Sequence, residues 1–212
     1  MSEHSEDGGE STVIPIIILA AGPSSRLGQP KQLLQLQGEP LIHRITRYAS
    51  ESNTGPVVVV LGSQAKKIQQ AITDLPVHIC VHTDWKKGMG SSIKAGLKFV
   101  EKKFPAAAAT ILSVCDQPFL EAGHFMSLSN AFRKKRSEII ASKYAGTFGV
   151  PCLFGKRFFS SLEKLRDDQG AKSVLEVHRN EIAFISFTKG NVDVDTAMDW
   201  EKVQTLISSK PY

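Results

Sequence analysis

The stretch Val13-Ile14-Pro15-Ile16-Ile17-Ile18-Leu19-Ala20-Ala21-Gly22-Pro23-Ser24-Ser25-Arg26-Leu27-Gly28-Gln29-Pro30-Lys31 decides the fold. Its first nine residues are apolar and rich in β-branched side chains, and a glycine follows. That pattern predicts a buried strand running into a turn. The rest of the stretch is small, glycine-containing and basic. Small residues let backbone N–H groups approach an anion, and Gly22 and Gly28 permit the unusual φ values of such a loop. Arg26 and Lys31 add positive charge for phosphate oxygens. A surface turn with two solvated bases has the same composition, so the loop alone does not separate the two readings. Neither GxxxxGK[ST] nor GxGxxG occurs, which excludes a Walker A loop and gives no dinucleotide fingerprint.

Outward from this strand, short apolar runs alternate with amphipathic stretches. Helices are expected over residues 40–51, 64–73, 91–102 (with a serine N-cap) and 121–135, and strands over 57–61, 77–81, 107–114 and 138–142. This alternation predicts an α/β fold of three-layer, Rossmann-like type: a mostly parallel sheet with helices on both faces. After Tyr144 the rhythm changes. An apolar segment at 152–154, helical stretches at 157–165 and 171–178, a strand at 182–187 and a helix after Thr196 suggest an antiparallel C-terminal addition. No linker divides the chain, so a loose acidic tail (residues 1–12) and one domain (13–212) are expected.

Composition narrows the class. The chain has 212 residues, 42% of them hydrophobic and 22% charged, enough apolar material for a core. Net charge is +5, and the first twelve residues hold Glu3, Glu6, Asp7 and Glu10 but no Lys or Arg, so the remainder carries +9. Such a body suits an anionic ligand, although plain solubility gives the same sign. The cysteines, Cys80, Cys115 and Cys152, are too few and scattered for a disulfide framework, and a reducing cytoplasmic location is expected. The longest apolar run falls far short of the roughly 20 residues of a membrane span, and no basic signal region opens the chain. No membrane partner is expected.

Candidate chemistry lies where strands end, because open α/β sheets bind ligands beyond their carboxyl edge. Asp116 follows the strand at 107–114 and is either a ligand for a hard cation such as Mg²⁺ or a turn cap. Asp193 and Asp195 fall on one face of an extended segment. Asp195 also reads as the N-cap of the last helix. Gly88–Ser92 opens a helix whose free N–H groups can hold a ligand, with ordinary capping by Ser91 as the alternative. His78, Cys80 and His82 share a strand face and are either interior residues or metal ligands. Arg133-Lys134-Lys135-Arg136 has no aromatic platform beside it, so a solvated helix end is preferred to nucleic-acid binding.

Leu19-Ala20-Ala21-Gly22-x-Ser24-x-Arg26-x-Gly28-x-x-Lys31 resembles the signature loop of nucleotidyltransferases with the nucleotide-diphospho-sugar transferase fold. The subgroup it looks like is the molybdenum cofactor cytidylyltransferases. The resemblance extends through Gln32-Leu33-Leu34, Gly38-Glu39-Pro40-Leu41, Gly88-Met89-Gly90-Ser91-Ser92, Cys115-Asp116-Gln117-Pro118, Asp168-Gln169-Gly170-Ala171-Lys172 and Asp193-Val194-Asp195-Thr196. It implies transfer of a nucleoside monophosphate from a triphosphate, CTP favoured by Ala20-Ala21-Gly22, onto a phosphate-bearing acceptor such as molybdopterin cofactor, with release of pyrophosphate. By the same resemblance, Lys31, Arg26 and Asp116 are catalytic. Leu19, Ala20, Ala21, Gly22, Ser24, Gly28, Gly88 and Ser92 join Arg26 and Lys31 in binding the nucleotide. Asp116 and Asp195 hold Mg²⁺, with Asp193 in reserve, and Asp168–Ala171 helps shape the acceptor pocket. A molybdoenzyme is a candidate partner. Val150 stands where many relatives are polar, and Ala197 where proline is usual; the first departure bears on the acceptor. Rival readings are the same transfer onto a sugar phosphate or another small phosphate, and a cofactor-binding chaperone without turnover.

Overall fold

The computed structural model describes residues 12–24 and 26–208. The expected tail lies outside the described residues except for Thr12. In chain order the elements are β1 (Ile16–Ala20), β2 (Gln35–Leu36), β3 (Glu39–Pro40), α1 (Leu41–Glu51), β4 (Val57–Leu61), α2 (Ala65–Gln70), β5 (Val77–Val81) and α3 (Met89–Lys103). There follow β6 (Ala109–Val114), α4 (Ala122–Arg133), β7 (Ile139–Tyr144), β8 (Thr147–Gly155), α5 (Phe159–Glu163), α6 (Lys172–Val177), β9 (Ile182–Ser186) and α7 (Ala197–Ser208).

Seven strands form one sheet in the order β5-β4-β1-β6-β8-β7-β9. β1 pairs in parallel with β4 and β6, β4 with β5, and β7 with β9. β8 alone runs against its neighbours, β6 and β7. The mostly parallel sheet is as the alternation implies, and the antiparallel element is present. It is not an added edge, however: β8 is inserted between β6 and β7, because the tight turn after β7 returns the chain into the gap beside β6. β2 and β3 form a separate small hairpin. Its turn residues Gln37 and Gly38 both have positive φ, 54° and 82°, as a two-residue hairpin turn demands.

Strand alternation sorts the core into two layers. Ile16, Ile18, Val57, Val59 and Leu61 pack with Ile42 and Ile45 of α1, Ile68 of α2 and Phe125 and Leu128 of α4. Ile17, Val58 and Val60 point the other way, onto Ile93 and Leu97 of α3, Leu162 of α5 and Leu175 of α6. The β1 and β4 strands are buried on both faces, which is why they read as unbroken apolar runs. A third cluster joins Leu36 and Leu41 near the hairpin to Val194 and Val203 at and beyond the start of α7. That cluster brings the C-terminal segment back to the β1 end of the sheet.

The helix expected from Ser91 begins earlier. Gly88 precedes α3 at φ 124°, and no side chain caps it. Ser91 Oγ instead donates to Gly88 O at 2.7 Å and pairs with His82 Nε2 at 2.9 Å. His78 packs against Phe99 and Phe104, and Cys80 Sγ donates to Ala95 O. The three residues of the His–Cys–His pattern therefore turn to separate partners. Arg133, Lys134, Lys135 and Arg136 are all exposed at the end of α4.

Two tests follow from the packing. A Cβ at Gly96 of α3 would lie 2.8 Å from Ile17 Cγ2 and 2.9 Å from Val60 Cγ2. Gly96→Val will cost about 1–3 kcal/mol by overpacking, read as a lower urea midpoint with an unchanged m-value. Burial depresses the His124 imidazole to about 4, where its Nε2 meets Ser142 Oγ at 2.7 Å. A folded-state value below the unfolded one means the stabilisation is complete above about pH 6.5 and is lost as pH falls toward 4. His124→Gln will flatten the loss of thermal midpoint across that window. An unchanged slope would reject the assignment.

Candidate functional site

β1 is followed by α1 and β4 on one side of the sheet, whereas β6 returns to its other side. The carboxyl ends of β1 and β6 therefore flank a topological switch point, the place where an open α/β sheet offers a ligand crevice. A cavity of about 400 Å³ opens there. Leu19, Ala20, Ala21 and Gly22 line it from β1, Gly88 and Ser92 from the start of α3, and Lys31 and Asp116 from the loops. A Cβ built on Gly22 meets nothing within 4 Å, so this position is held open by the missing side chain rather than by strain. Of the unusual φ values expected at Gly22 and Gly28, Gly28 has one, 66°, while the other lies at Ser24, 52°, rather than at Gly22.

The loop after β1 is fastened by Gln32, which is 1% exposed. Its Nε2 donates to Ala20 O and Gly22 O, both at 3.0 Å, and its Oε1 accepts from Ser24 Oγ at 3.2 Å. Ser24 Oγ also accepts the Lys31 N–H at 3.0 Å. Ser24 thus acts by positioning and does not line the cavity, nor does Gly28. One buried amide ties both ends of the loop, and the backbone of Lys31 is fixed next to the strand it left. The Gln32-Leu33-Leu34 motif marks the position in the sequence, but only the fold shows which carbonyls it holds.

Lys31 Nζ lies 2.5 Å from Asp116 Oδ2 and 2.8 Å from Asp195 Oδ1. The Lys31 and Asp116 side chains are 16% and 17% exposed, that of Asp195 55%. Burial pulls the Lys31 ammonium down, but the two carboxylates outweigh it and hold it above the ordinary lysine value. Asp193 stands close enough to interact with both acids. Partial enclosure of its carboxyl, with Asp116 and Asp195 adding repulsion, pushes it up to about 6 although the residue as a whole is exposed. Asp195 is not the helix cap. Thr196 Oγ1 accepts the Asp199 N–H at 3.2 Å, while the Asp199 carboxylate takes the Thr196 N–H and O–H. This Thr-x-x-Asp capping box closes the start of α7 and leaves Asp195 to face Lys31.

Gln117, 1% exposed, organises the other wall. Its Nε2 donates to Gly190 O at 2.9 Å and Val150 O at 3.3 Å, and Val194 N donates to Asp116 O at 3.0 Å. The segment carrying Asp193 and Asp195 is thereby moored to Asp116. Asp168–Ala171 belongs to a loop that braces α3. Gly90 N donates to Asp167 O at 2.8 Å, and Lys94 Nζ reaches Asp167 Oδ1 at 2.7 Å and Leu165 O at 3.0 Å. A side chain at Gly90 would strike Arg166 O. The N–H of Gly90 is thus spent within the protein. Arg26 is exposed and lies outside the cavity wall.

Among the described residues, no three His, Cys, Asp or Glu side chains converge to hold a metal. Asp116 and Asp195 offer hard oxygen donors, and a single cationic nitrogen already reaches both. Such a pair fits Mg²⁺, which takes one or two carboxylates and completes its shell with water and substrate phosphate.

Residues 16–182 match the MobA-like NTP transferase domain. The purine catabolism protein PucB of Bacillus subtilis is 27% identical over 205 residues, covering 91% of this chain and 96% of that protein. A probable molybdenum cofactor guanylyltransferase of Opitutus terrae is 30% identical over 125 residues, 58% of this chain and 57% of its own length. The crystal structure of a Mycobacterium tuberculosis Rv0371c homologue from Mycobacterium sp. strain JC1 superposes with a TM-score of 0.80 at 28% identity, covering 92% of this chain and 96% of that one.

Because Gly22 faces open space, Gly22→Val will fold with normal stability and lose nucleotide binding. Thermal unfolding paired with calorimetric titration of nucleoside triphosphates reads both, and unimpaired titration would remove the loop from the site. With the cavity at the switch point and the match over most of its length, the chain belongs to the MobA-like NTP transferase family and is a nucleotidyltransferase.

Proposed function

We propose that the chain moves a cytidylyl group from CTP onto a phosphate-bearing acceptor of molybdopterin type, releasing pyrophosphate. The observation that carries this reading is the convergence of Lys31 and Asp116, which line the cavity between β1 and β6, with Asp195, which pairs with the same Lys31. An acceptor phosphate oxygen attacks the α-phosphorus in line with the departing pyrophosphate. No covalent enzyme intermediate is required, so the protein contributes alignment and charge neutralisation.

Each residue has a role in that scheme. Gly22 and its neighbours give the triphosphate room beside the loop backbone, and Arg26 grips it from the exposed limb of the loop. Lys31 neutralises charge as it develops at the α-phosphate. Asp116 and Asp195 hold Mg²⁺, which when bound supplies further positive charge against the phosphates. Gly88 and Ser92 also line the cavity, and the scheme assigns them to the nucleoside.

The preference for CTP rests on Ala20-Ala21-Gly22. Ala21, 4% exposed, puts a methyl group in the cavity wall where a glycine would leave it wider. The acceptor assignment draws on the resemblance to molybdenum cofactor enzymes and on the guanylyltransferase relative. Gln117 Nε2 donates to both Val150 O and Gly190 O, and in this scheme the departure at Val150 bears on the acceptor side. The three cysteines are buried and unpaired, consistent with a reducing cytoplasm, and among the described residues no helix is long and apolar enough to cross a membrane.

The test is incubation with each of CTP, GTP, ATP and UTP, Mg²⁺ and candidate acceptors, read by pyrophosphate release. CTP with molybdopterin cofactor is expected to give the highest rate. Stoichiometric binding with no pyrophosphate would instead indicate a carrier. Lys31→Ala will lower turnover by about 10²–10³ while the far-UV spectrum is retained. Asp116→Ala will lose rate and divalent-cation dependence together; a variant that kept both would break the cation assignment.

A further inference from the structure

We propose that Lys31 is an exchangeable counter-ion that couples the two ligands of the site. In the free protein its ammonium occupies the place between Asp116 and Asp195 that a divalent cation takes, so cation and triphosphate bind well only together. The inference rests on reading Asp116 and Asp195 as cation ligands, and it adds a role for Lys31 before any chemistry begins.

The geometry supports exchange rather than a permanent bridge. Nζ reaches one oxygen of each carboxylate, at 2.5 and 2.8 Å, and among the described residues no other base pairs with either acid. The Lys31 backbone is pinned by Ser24 Oγ, and its neighbour Gln32 is buried with both amide hydrogens donated to loop carbonyls. Movement is therefore confined to a flexible four-carbon stem, and that stem already lines the cavity. Lysine suits such a task, because its ammonium is a point charge without the fixed fork of arginine.

The consequence is a thermodynamic linkage. A cation arriving alone must evict the ammonium from both carboxylates and leave it without an anionic partner. A triphosphate arriving alone must draw the ammonium away and leave two carboxylates, with Asp193 beside them, facing each other uncompensated. When both arrive, the ammonium passes to the phosphates and the cation passes to the carboxylates, so every charge keeps a partner. Each ligand then raises the affinity for the other by the same factor.

The probe is Mn²⁺, followed by electron paramagnetic resonance of the free ion, with and without α,β-methylene-CTP. Without nucleotide, Lys31→Met will bind Mn²⁺ at least about tenfold more tightly than the unaltered protein, since a unit charge within about 3 Å has been removed. The nucleotide analogue will sharply tighten Mn²⁺ binding in the unaltered protein and far less in Lys31→Met. Lys86→Met, which removes an exposed charge at the cavity but no bridge, will shift Mn²⁺ affinity less than about twofold. Lys31→Gln serves as a second variant should Lys31→Met fail to fold. Equal or weaker Mn²⁺ binding in the Lys31 variants, with Asp116→Asn still abolishing binding, overturns the exchange but spares the cation site. Undiminished binding in Asp116→Asn overturns the cation site and the exchange with it.

Discussion

The site depends on one ammonium shared by two carboxylates from distant parts of the chain. Asp116 is 85 residues from Lys31 and Asp195 is 164 residues away. Nothing local joins them; the sheet order does. β6 must lie beside β1 for Asp116 to approach the β1 loop. The segment before α7 must return across the same edge for Asp195 to face it, and Val194 packing with Leu36 and Leu41 brings it there. Lys31 and Asp116 are close and largely covered, so the loss of either leaves the other charge poorly compensated, while Asp195 pairs from a more exposed position.

Much of this was legible in the sequence, for stated physical reasons. Strands buried on both faces leave unbroken apolar runs, and the run expected at 57–61 is β4 itself. Amphipathic helices leave their own period, and α1 ends at Glu51 as expected. Other features depend on contacts that no local pattern encodes. β8 carries mixed residues over nine positions, and its place between β6 and β7 is a matter of pairing partners. Ser91 reads as a cap because serine commonly caps. The helix begins earlier because Gly88 can take a φ that other residues resist. The capping role of Thr196 was available in Thr196-Ala197-Met198-Asp199; the reading of Asp195 as the cap passed over that spacing.

Two buried glutamines carry a share of the organisation that sequence motifs only hinted at. Gln32 sits inside the β1 loop and Gln117 beside Asp116, and each is almost fully buried. A primary amide has two donors and a two-lone-pair acceptor, so a single side chain can hold two backbone carbonyls at once. Gln32 does this for Ala20 and Gly22, Gln117 for Val150 and Gly190. An acid would repel those carbonyls and a hydrocarbon would leave them unpaired in a dry interior, at a cost of roughly 1–3 kcal/mol each. The chemistry of glutamine, more than its helix or strand preference, explains its presence at both places.

Rigidity at the site is graded. The strand ends and the loop root are buried, Lys31 and Asp116 are largely covered, and Asp195 and Arg26 are exposed. The groups nearest the reacting phosphorus in the proposed scheme are therefore the best fixed, as alignment requires. Such a gradient also explains why Arg26 stands apart from the cavity wall while Lys31 lines it. In the proposed scheme an arginine on an exposed limb seeks the outer phosphates with its broad fork of donors, whereas Lys31 is fixed at its backbone and moves only through its side-chain stem. The loop sequence meets both demands at once: it is bound at its root through Gln32 and Ser24, and Arg26 is exposed.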